Sequence, residues 1–193
     1  MHSERDGISV GFCRERFHEG THMCLVFRDE AERRRIVAKF VESGLAGDER
    51  TFYFADAATR SDVVKWLASC DVAVSESLAH GSLTVDVAIQ TYFPDGTFSA
   101  KRMWETLKSA YSSSKAANYP HSRVTGEMTW ALRGIPGSEQ LIEYEAGINH
   151  VVKTHPITAM CQYDANRFDG ELIFKALQVH PYMVMNGQLV MNP

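Results

Sequence analysis

The stretch Thr21–Phe40 constrains the fold of this chain more than any other part of the sequence. Its first part, HMCLVF at residues 22–27, is an apolar run of strand length with aromatic and β-branched members. Asp29 follows, with Glu32 three positions later, and this spacing is a helix-capping signal. Apolar residues then recur at helical spacing. The stretch therefore predicts a buried strand that runs directly into a helix.

The turn between this strand and helix, residues 27–32, is acidic. Strand carboxyl ends and helix amino ends meet at such turns, and α/β proteins commonly bind ligands there. A phosphate-binding turn needs glycines for close backbone approach and a lysine for its charge. This turn reads FRDEAE, which contains neither, and its carboxylates would repel a triphosphate. The pattern predicts the scaffold of a P-loop unit without its nucleotide chemistry.

Strand and helix patterns alternate along the rest of the chain. Strands are predicted at 49–56, 122–130 and 156–164, with shorter β-prone pieces at 71–74 and 82–89, and helices at 61–70, 99–110, 138–152 and 170–178. A closing hairpin is predicted at 183–190, because Asn186–Gly187 is a strong turn signal. This order predicts an α/β fold with a mostly parallel sheet, helices on both faces and an antiparallel hairpin at one edge.

The predicted domain organisation is simple. Residues 1–20 are polar and mixed, and they are interpreted as an N-terminal extension with room for one short helix. Residues 21–193 are interpreted as a single domain, because no linker or internal repeat interrupts them. Gly126 inside a predicted strand suggests close approach of backbone or ligand.

Charge and cysteine content limit the classes of partner. The net charge of −4 gives no reason to expect direct nucleic-acid binding, and no apolar run is long enough to span a membrane. The four cysteines are widely spaced and do not form a disulfide framework. The N-terminus does not have the pattern of a signal peptide. We therefore expect a cytoplasmic protein.

A series of motifs carries a likeness to a known family. In chain order they are H-x-C at 22–24 with an aromatic residue at 27, E-R-x-F-Y-x-A-D at 49–56, G-E-M-T-W at 126–130, E-Y-E-x-x-x-N at 143–149, C-Q-Y-D at 161–164, H-P at 180–181 and N-P at 192–193. This series resembles the MEDS family, sensory domains named for methanogens, methylotrophs and the dichloromethane-dehalogenase regulator. The resemblance implies a RecA/KaiC-like fold without a working ATP site and sensing of simple hydrocarbon derivatives. It also implies neighbouring histidine kinase, anti-sigma or DNA-binding modules.

Two departures from the family pattern affect the expected function. Phe27 stands where the family often has tyrosine, so a phenol hydroxyl is missing there. The chain also stops at residue 193 without an output module. A stand-alone sensor, a partner-binding protein and a fragment of a longer protein all remain open as interpretations.

The candidate ligand-binding residues are those expected at the carboxyl ends of the strands, where the crevice of an open α/β sheet lies. They combine an aromatic wall, a thiol, carboxylates and one arginine, which is the mixture typical of a small-molecule pocket. These residues are Phe27, Arg28, Asp56, Glu127, Trp130, Cys161 and Tyr163. Glu127 occupies a position like that of a Walker-B acid, which would have no nucleotide to serve here.

Metal binding is a second possibility. His22, Cys24, Cys161 and His180 are ligand types that zinc prefers, but they lack the spacing of a zinc finger. We expect His22 near the amino end of its strand and Cys161 near the carboxyl end of another, so the length of the strands would separate them. The prediction is therefore no cofactor and no metal, with buried structural cysteines and histidines. Cys161 is the best candidate for a redox-reactive thiol, given its expected position at a strand end.

A glutamate on the apolar side of the helix at 138–152 requires a partner. Glu145 shares its side with apolar residues, and a buried carboxylate must be paired. The expected partner is an arginine or backbone amides, in a structural pair.

The sequence supports three functional hypotheses. The preferred one is a non-catalytic sensory domain that binds a small organic, hydrocarbon-derived ligand and signals to a kinase, anti-sigma or DNA-binding partner. The second is a ligand-independent interaction or dimerisation module, because the C-terminal hairpin offers an apolar edge. The third is a thiol- or metal-dependent redox sensor. No nucleophile–base motif is visible, so an enzyme is not expected.

Overall fold

The computed structural model describes residues 7–192, and its centre is a seven-stranded sheet. The strands are β3 (His22–Phe27), β4 (Glu49–Ala55), β5 (Leu83–Val87), β6 (His121–Glu127), β7 (Ile157–Asp164), β8 (Tyr182–Met185) and β9 (Gln188–Met191). Their order across the sheet is β5-β4-β6-β7-β3-β8-β9. All neighbours run parallel except β8 and β9, which form an antiparallel hairpin at the edge. The predicted fold class is confirmed.

Helices cover both faces of this sheet. They are α1 (Glu30–Ala46), α2 (Arg60–Ala68), α3 (Val74–His80), α4 (Ala88–Thr91), α5 (Ala100–Ala116), α6 (Leu141–Thr154) and α7 (Gly170–Val179). One core lies between the sheet and α1, α2 and α3, with Ile36, Phe40 and Trp66 among its members. The other core lies between the sheet and α5, α6 and α7. Buried strands with apolar residues on both faces require this double cover.

Side-chain caps and a tight turn fix the helix starts and the hairpin that the sequence predicts. The Asp29 carboxylate accepts hydrogen bonds from the amides of Ala31 and Glu32 at the start of α1. Thr59 and Ser99 cap α2 and α5 in the same way. Asn186 and Gly187 both have positive φ, 52° and 71°, as a two-residue hairpin turn requires.

Three local predictions are wrong. Residues 128–133 form a 3-10 helix, so β6 stops at Glu127 and Trp130 does not lie on a strand. Residues 71–74 do not form a strand, because Asp71 takes a positive φ at the turn after α2 and Val74 already begins α3. Residues 7–20 contain a small hairpin of β1 (Ile8–Ser9) and β2 (Arg16–Phe17) instead of a helix. The first six residues and Pro193 lie outside the described part, and the domain boundary at residue 20 stays a prediction.

Because Gly126 in β6 has no side chain, the Tyr92 side chain can pack closely against its backbone. A Cβ atom at this position would lie 2.4 Å from the hydroxyl oxygen of Tyr92. Tyr92 is buried and stacks on Trp130, with ring centroids 4.9 Å apart, so it cannot move aside easily. The group that packs against Gly126 is therefore Tyr92, a side chain of the protein core.

We expect Gly126→Ala to lower the free energy of unfolding by about 1–3 kcal/mol, because overpacking forces the aromatic cluster to shift. Gly170→Ala is the matched control, because a Cβ there meets no atom within 4 Å. Urea denaturation of both variants tests this, and equal stabilities would contradict the steric account.

Among residues 7–192, no helix is both long and apolar enough to cross a membrane.

Candidate functional site

A pocket of about 360 Å³ opens at the carboxyl ends of β3, β6 and β7, beside the first turns of α1 and α2. This volume falls within the range of small-molecule sites. Its lining combines one aromatic ring and two alanines with charged and polar groups. The lining residues are Phe27, Glu30, Arg33, Arg34, Ala57, Ala58, Asp62, Glu127, Thr129, Gln162 and Asp164. The position is the one at which open α/β sheets bind ligands.

Arg33 lies at the base of this pocket and is 4% exposed. Its guanidinium makes two bonds with the Glu30 carboxylate, at 2.8 Å and 2.6 Å. It also donates to the Tyr53 hydroxyl, to Glu127 and to Gln162. Burial alone would lower the pKa of Arg33, but its interactions with Glu30, Tyr53 and Glu127 outweigh burial and raise that pKa. The guanidinium is therefore held by protein partners.

Glu127 ties the loop after β4 to this arginine. One carboxylate oxygen, Oε2, accepts hydrogen bonds from three consecutive backbone amides, those of Asp56, Ala57 and Ala58, at 2.8, 2.6 and 3.3 Å. The other oxygen, Oε1, accepts from the Tyr53 hydroxyl at 2.7 Å and from Arg33 at 3.2 Å. The carboxylate thus shapes the wall that carries the two alanines.

The seven predicted ligand-binding residues do not all meet in this pocket. Phe27 and Glu127 line the pocket. Asp56 does not line it, and its carboxylate accepts a hydrogen bond from the Thr129 hydroxyl at 2.7 Å and pairs with Arg133 at 2.8 Å. Arg28 is exposed and does not line the pocket.

Trp130, Cys161 and Tyr163 lie in the core on the opposite face of the sheet, at most 5% exposed. For Cys161 and Tyr163, the alternation of side chains along β7 explains this arrangement. In β7, Gln162 points to Arg33, so its neighbours Cys161 and Tyr163 point the other way. Cys161 also lies in the middle of β7, not at its carboxyl end, so that expectation is wrong.

A second polar group, defined as the His–Glu cluster, lies on this opposite face. It consists of His22, Glu145, Cys161 and His180, each at most 5% exposed. The imidazole Nε2 atoms of His22 and His180 lie 3.3 Å and 3.4 Å from Glu145 Oε2. The Cys161 thiol donates to the same oxygen at 3.2 Å, and the Tyr163 hydroxyl donates to Oε1 at 2.5 Å.

Two expectations about these residues are wrong. His22 and Cys161 are not separated by the length of their strands, because Nε2 and Sγ are 3.6 Å apart. β3 pairs with β7 so that His22 lies opposite Ala159, only two residues from Cys161. Glu145 is paired, but with imidazoles, a thiol and a phenol instead of an arginine or amides. Cys24 lies opposite Cys161 in the register and does not belong to the cluster.

Electrostatics make the thiols of this face weak nucleophiles. Burial, with the Glu145 charge, raises the pKa of Cys24 to about 12 and that of Cys161 well above its usual value. Burial alone would raise the pKa of Glu145, but the charge and hydrogen bonds of the two imidazoles in their protonated form outweigh burial and hold that pKa below its usual range. Burial and the neighbouring imidazole lower the pKa of His22. Since a reactive cysteine needs an accessible thiolate, these properties argue against a redox role for Cys161.

Sequence reasoning misses Arg33 and Gln162, and it does not assign Glu145 to a site with the histidines. Arg33 lies in the basic run Arg33–Arg35, whose other two members are exposed, so the sequence does not distinguish it from a surface residue. A usable signal is its position in the first turn of α1, which faces the strand ends. For Glu145, the signal is Asn149 one turn later, because both side chains lie on one side of α6.

Solved structures resemble the fold described above. A KaiC-like protein, PH0186, from the hyperthermophilic archaeon Pyrococcus horikoshii OT3 aligns with a TM-score of 0.64 and 14% identity over 95% of this chain and 84% of that one. The flagellar accessory protein FlaH from Methanocaldococcus jannaschii aligns with a TM-score of 0.59 and 10% identity over 89% of this chain and 75% of that one. The chain therefore has a KaiC-like fold.

A curated relative is the transcriptional repressor DcmR from Methylorubrum extorquens, which is 24% identical over 160 residues. The alignment covers 82% of this chain and 57% of the repressor, so this chain spans little more than half of that protein's length. The family model described as the methanogen/methylotroph, DcmR sensory domain matches residues 21–181. This match covers most of the chain, which therefore belongs to the MEDS family of sensory domains.

Proposed function

We propose that this domain is a non-catalytic cytoplasmic sensor that binds a small neutral organic molecule in the pocket at the strand carboxyl ends. Ligand binding would be passed on to a kinase, an anti-sigma factor or a DNA-binding partner. The observation that carries this proposal is the pocket itself, which combines the Phe27 ring and the alanines of the β4–α2 loop with hydrogen-bonding groups. The family and the repressor relative support a regulatory role.

The charges around the pocket favour a ligand without negative charge. Four carboxylates line it, and the two arginines are already paired with Glu30. The amides at the start of α1 are likewise engaged by the Asp29 side chain. A phosphate or carboxylate ligand would therefore face repulsion, with no free cation among the lining residues to offset it. Small alcohols and comparable hydrocarbon derivatives avoid this cost.

A thermal-shift series with one- to four-carbon alcohols, with ATP as the comparison ligand, tests the proposal. We expect the midpoint of unfolding to rise with alcohols of the right size, because a ligand that binds only the folded state stabilises it. Ala57→Leu should abolish the rise by filling the mouth of the pocket. Ala116→Leu is the matched control, because Ala116 is exposed in the last turn of α5 and does not line the pocket.

Two results would contradict the proposal. An unchanged ligand response in Ala57→Leu would place binding elsewhere. ATP turnover that disappears in Glu127→Gln would make the domain an enzyme. Native mass spectrometry of freshly purified protein complements the series, because a retained organic mass would identify the ligand class directly.

A further inference from the structure

The His–Glu cluster joins four separate elements at one point in the core. His22 begins β3, Cys161 lies in β7, Glu145 lies in α6, and His180 connects α7 to β8. One donor atom of each residue lies within 4.8 Å of all the others. The proposed ligand pocket lies on the other face of the sheet, so a role for the cluster does not depend on that pocket.

Each imidazole of the cluster has a fixed orientation. Asn149 donates its amide N–H to the carbonyl of Val179 at 2.7 Å, so its oxygen faces His22 Nδ1 at 3.0 Å and accepts a hydrogen bond from the Nδ1–H group. His180 Nδ1 lies 2.7 Å from the carbonyl of Ala176 and donates to it. With the proton of each neutral ring on Nδ1, both Nε2 atoms present a lone pair to the cluster. Metal-binding histidines are oriented by hydrogen bonds of this kind.

With nothing between them, the Nε2 lone pairs of the two imidazoles and the lone pairs of the Glu145 carboxylate would repel each other. Both Nε2 atoms approach the Glu145 Oε2 atom, which is itself an acceptor, at 3.3 Å and 3.4 Å. His180 Nε2 is buried and has no hydrogen-bond partner among residues 7–192. Buried acceptors that converge in this way require a cation between them.

Four of the six distances between the donor atoms are close to the edges of a tetrahedral metal site. Zinc bonds of about 2.0–2.1 Å to nitrogen and oxygen and about 2.3 Å to sulfur imply tetrahedral edges of about 3.3–3.6 Å between the donor atoms. The Glu145 oxygen lies 3.3, 3.4 and 3.2 Å from the other three donors, and His22 Nε2 lies 3.6 Å from Cys161 Sγ. Two nitrogens, one sulfur and one carboxylate oxygen are a donor set that zinc favours.

We infer that His22, Glu145, Cys161 and His180 form a structural site for one zinc ion. Binding releases the Cys161 thiol proton to solvent, and the thiolate takes its place as a ligand. Tyr163 keeps its hydrogen bond to the second oxygen of Glu145 and leaves Oε2 for the metal. Four protein ligands close the coordination sphere, which is typical of structural and not of catalytic zinc. Since all four residues are buried, the ion is taken up during folding.

Refolding of the full chain tests this site. The protein is unfolded in denaturant with EDTA and refolded with Zn²⁺, with Mg²⁺ or with neither, and the retained metal is counted by mass spectrometry. We expect one zinc per chain and an unfolding midpoint about 10 °C higher with Zn²⁺ only. No retained zinc and no stabilisation would show that the cation in the cluster is a proton, and this would overturn the zinc site.

Cobalt(II) identifies the ligands, because a cobalt–thiolate bond gives a charge-transfer absorption band. We expect this band in the wild type and in Cys24→Ser, and its loss in Cys161→Ser. Cys24 is the matched control, because it is a buried cysteine opposite Cys161 but outside the cluster. The same band in Cys161→Ser, or its loss in Cys24→Ser alone, would overturn the assignment.

Discussion

Replacing Arg123 with alanine is expected to lower the free energy of unfolding by about 3–5 kcal/mol, because it leaves a buried carboxylate without its partner. Arg123 is fully buried at the amino-terminal end of the sheet, where it makes two hydrogen bonds with Glu49, at 2.9 Å and 2.5 Å. It also donates to the backbone oxygens of Ser9 and Phe40 and to the Ser43 hydroxyl. One side chain thus connects the N-terminal hairpin, α1, β4 and β6.

Urea denaturation measures this loss, with Arg35→Ala as the matched control. Arg35 is exposed on α1, so its replacement should change the stability by less than about 0.5 kcal/mol. Where the single variant does not fold, the double variant Arg123→Met with Glu49→Met remains informative. We expect it to be more stable than Arg123→Met alone, because no unpaired charge is left in the core. A double variant less stable than the single one would contradict this account.

Replacing Glu127 with glutamine is expected to cost about 2–4 kcal/mol, although the two side chains have nearly the same shape. The carboxylate accepts hydrogen bonds from three backbone amides, from the Tyr53 hydroxyl and from the Arg33 guanidinium. Glutamine has only one side-chain oxygen, so its NH₂ group must face either the three backbone amides or the Tyr53 and Arg33 donors. The substitution also removes the negative charge that balances the buried Arg33 guanidinium.

The control for this change is Glu143→Gln on the exposed side of α6, which should be nearly neutral. Chemical denaturation compares the two variants. Hydrogen exchange of the amides of Asp56, Ala57 and Ala58 gives a second measurement, and we expect faster exchange only in Glu127→Gln. Unchanged exchange together with unchanged stability would show that Glu127 does not hold this loop.

The fold is largely predictable because its signals are local. The apolar run at 22–27, the Asp29 cap and the Asn186–Gly187 turn each depend on neighbouring residues only. The predictions fail at residues that lack such signals. Residues 71–74 have strand-like composition, but a positive φ at Asp71 and the packing of α3 decide their structure.

The sites depend on information that a linear pattern does not contain. Sequence by itself places acidic and aromatic residues at strand ends and identifies His22, Cys161 and His180 as ligand types. Only the tertiary structure decided which face of the sheet each residue takes and which strands lie side by side. The pairing of β3 with β7 brings His22 to Cys161, although 139 positions separate them. The physical reason is that strand register and helix docking are set by burial over the whole core, and not by neighbouring residues.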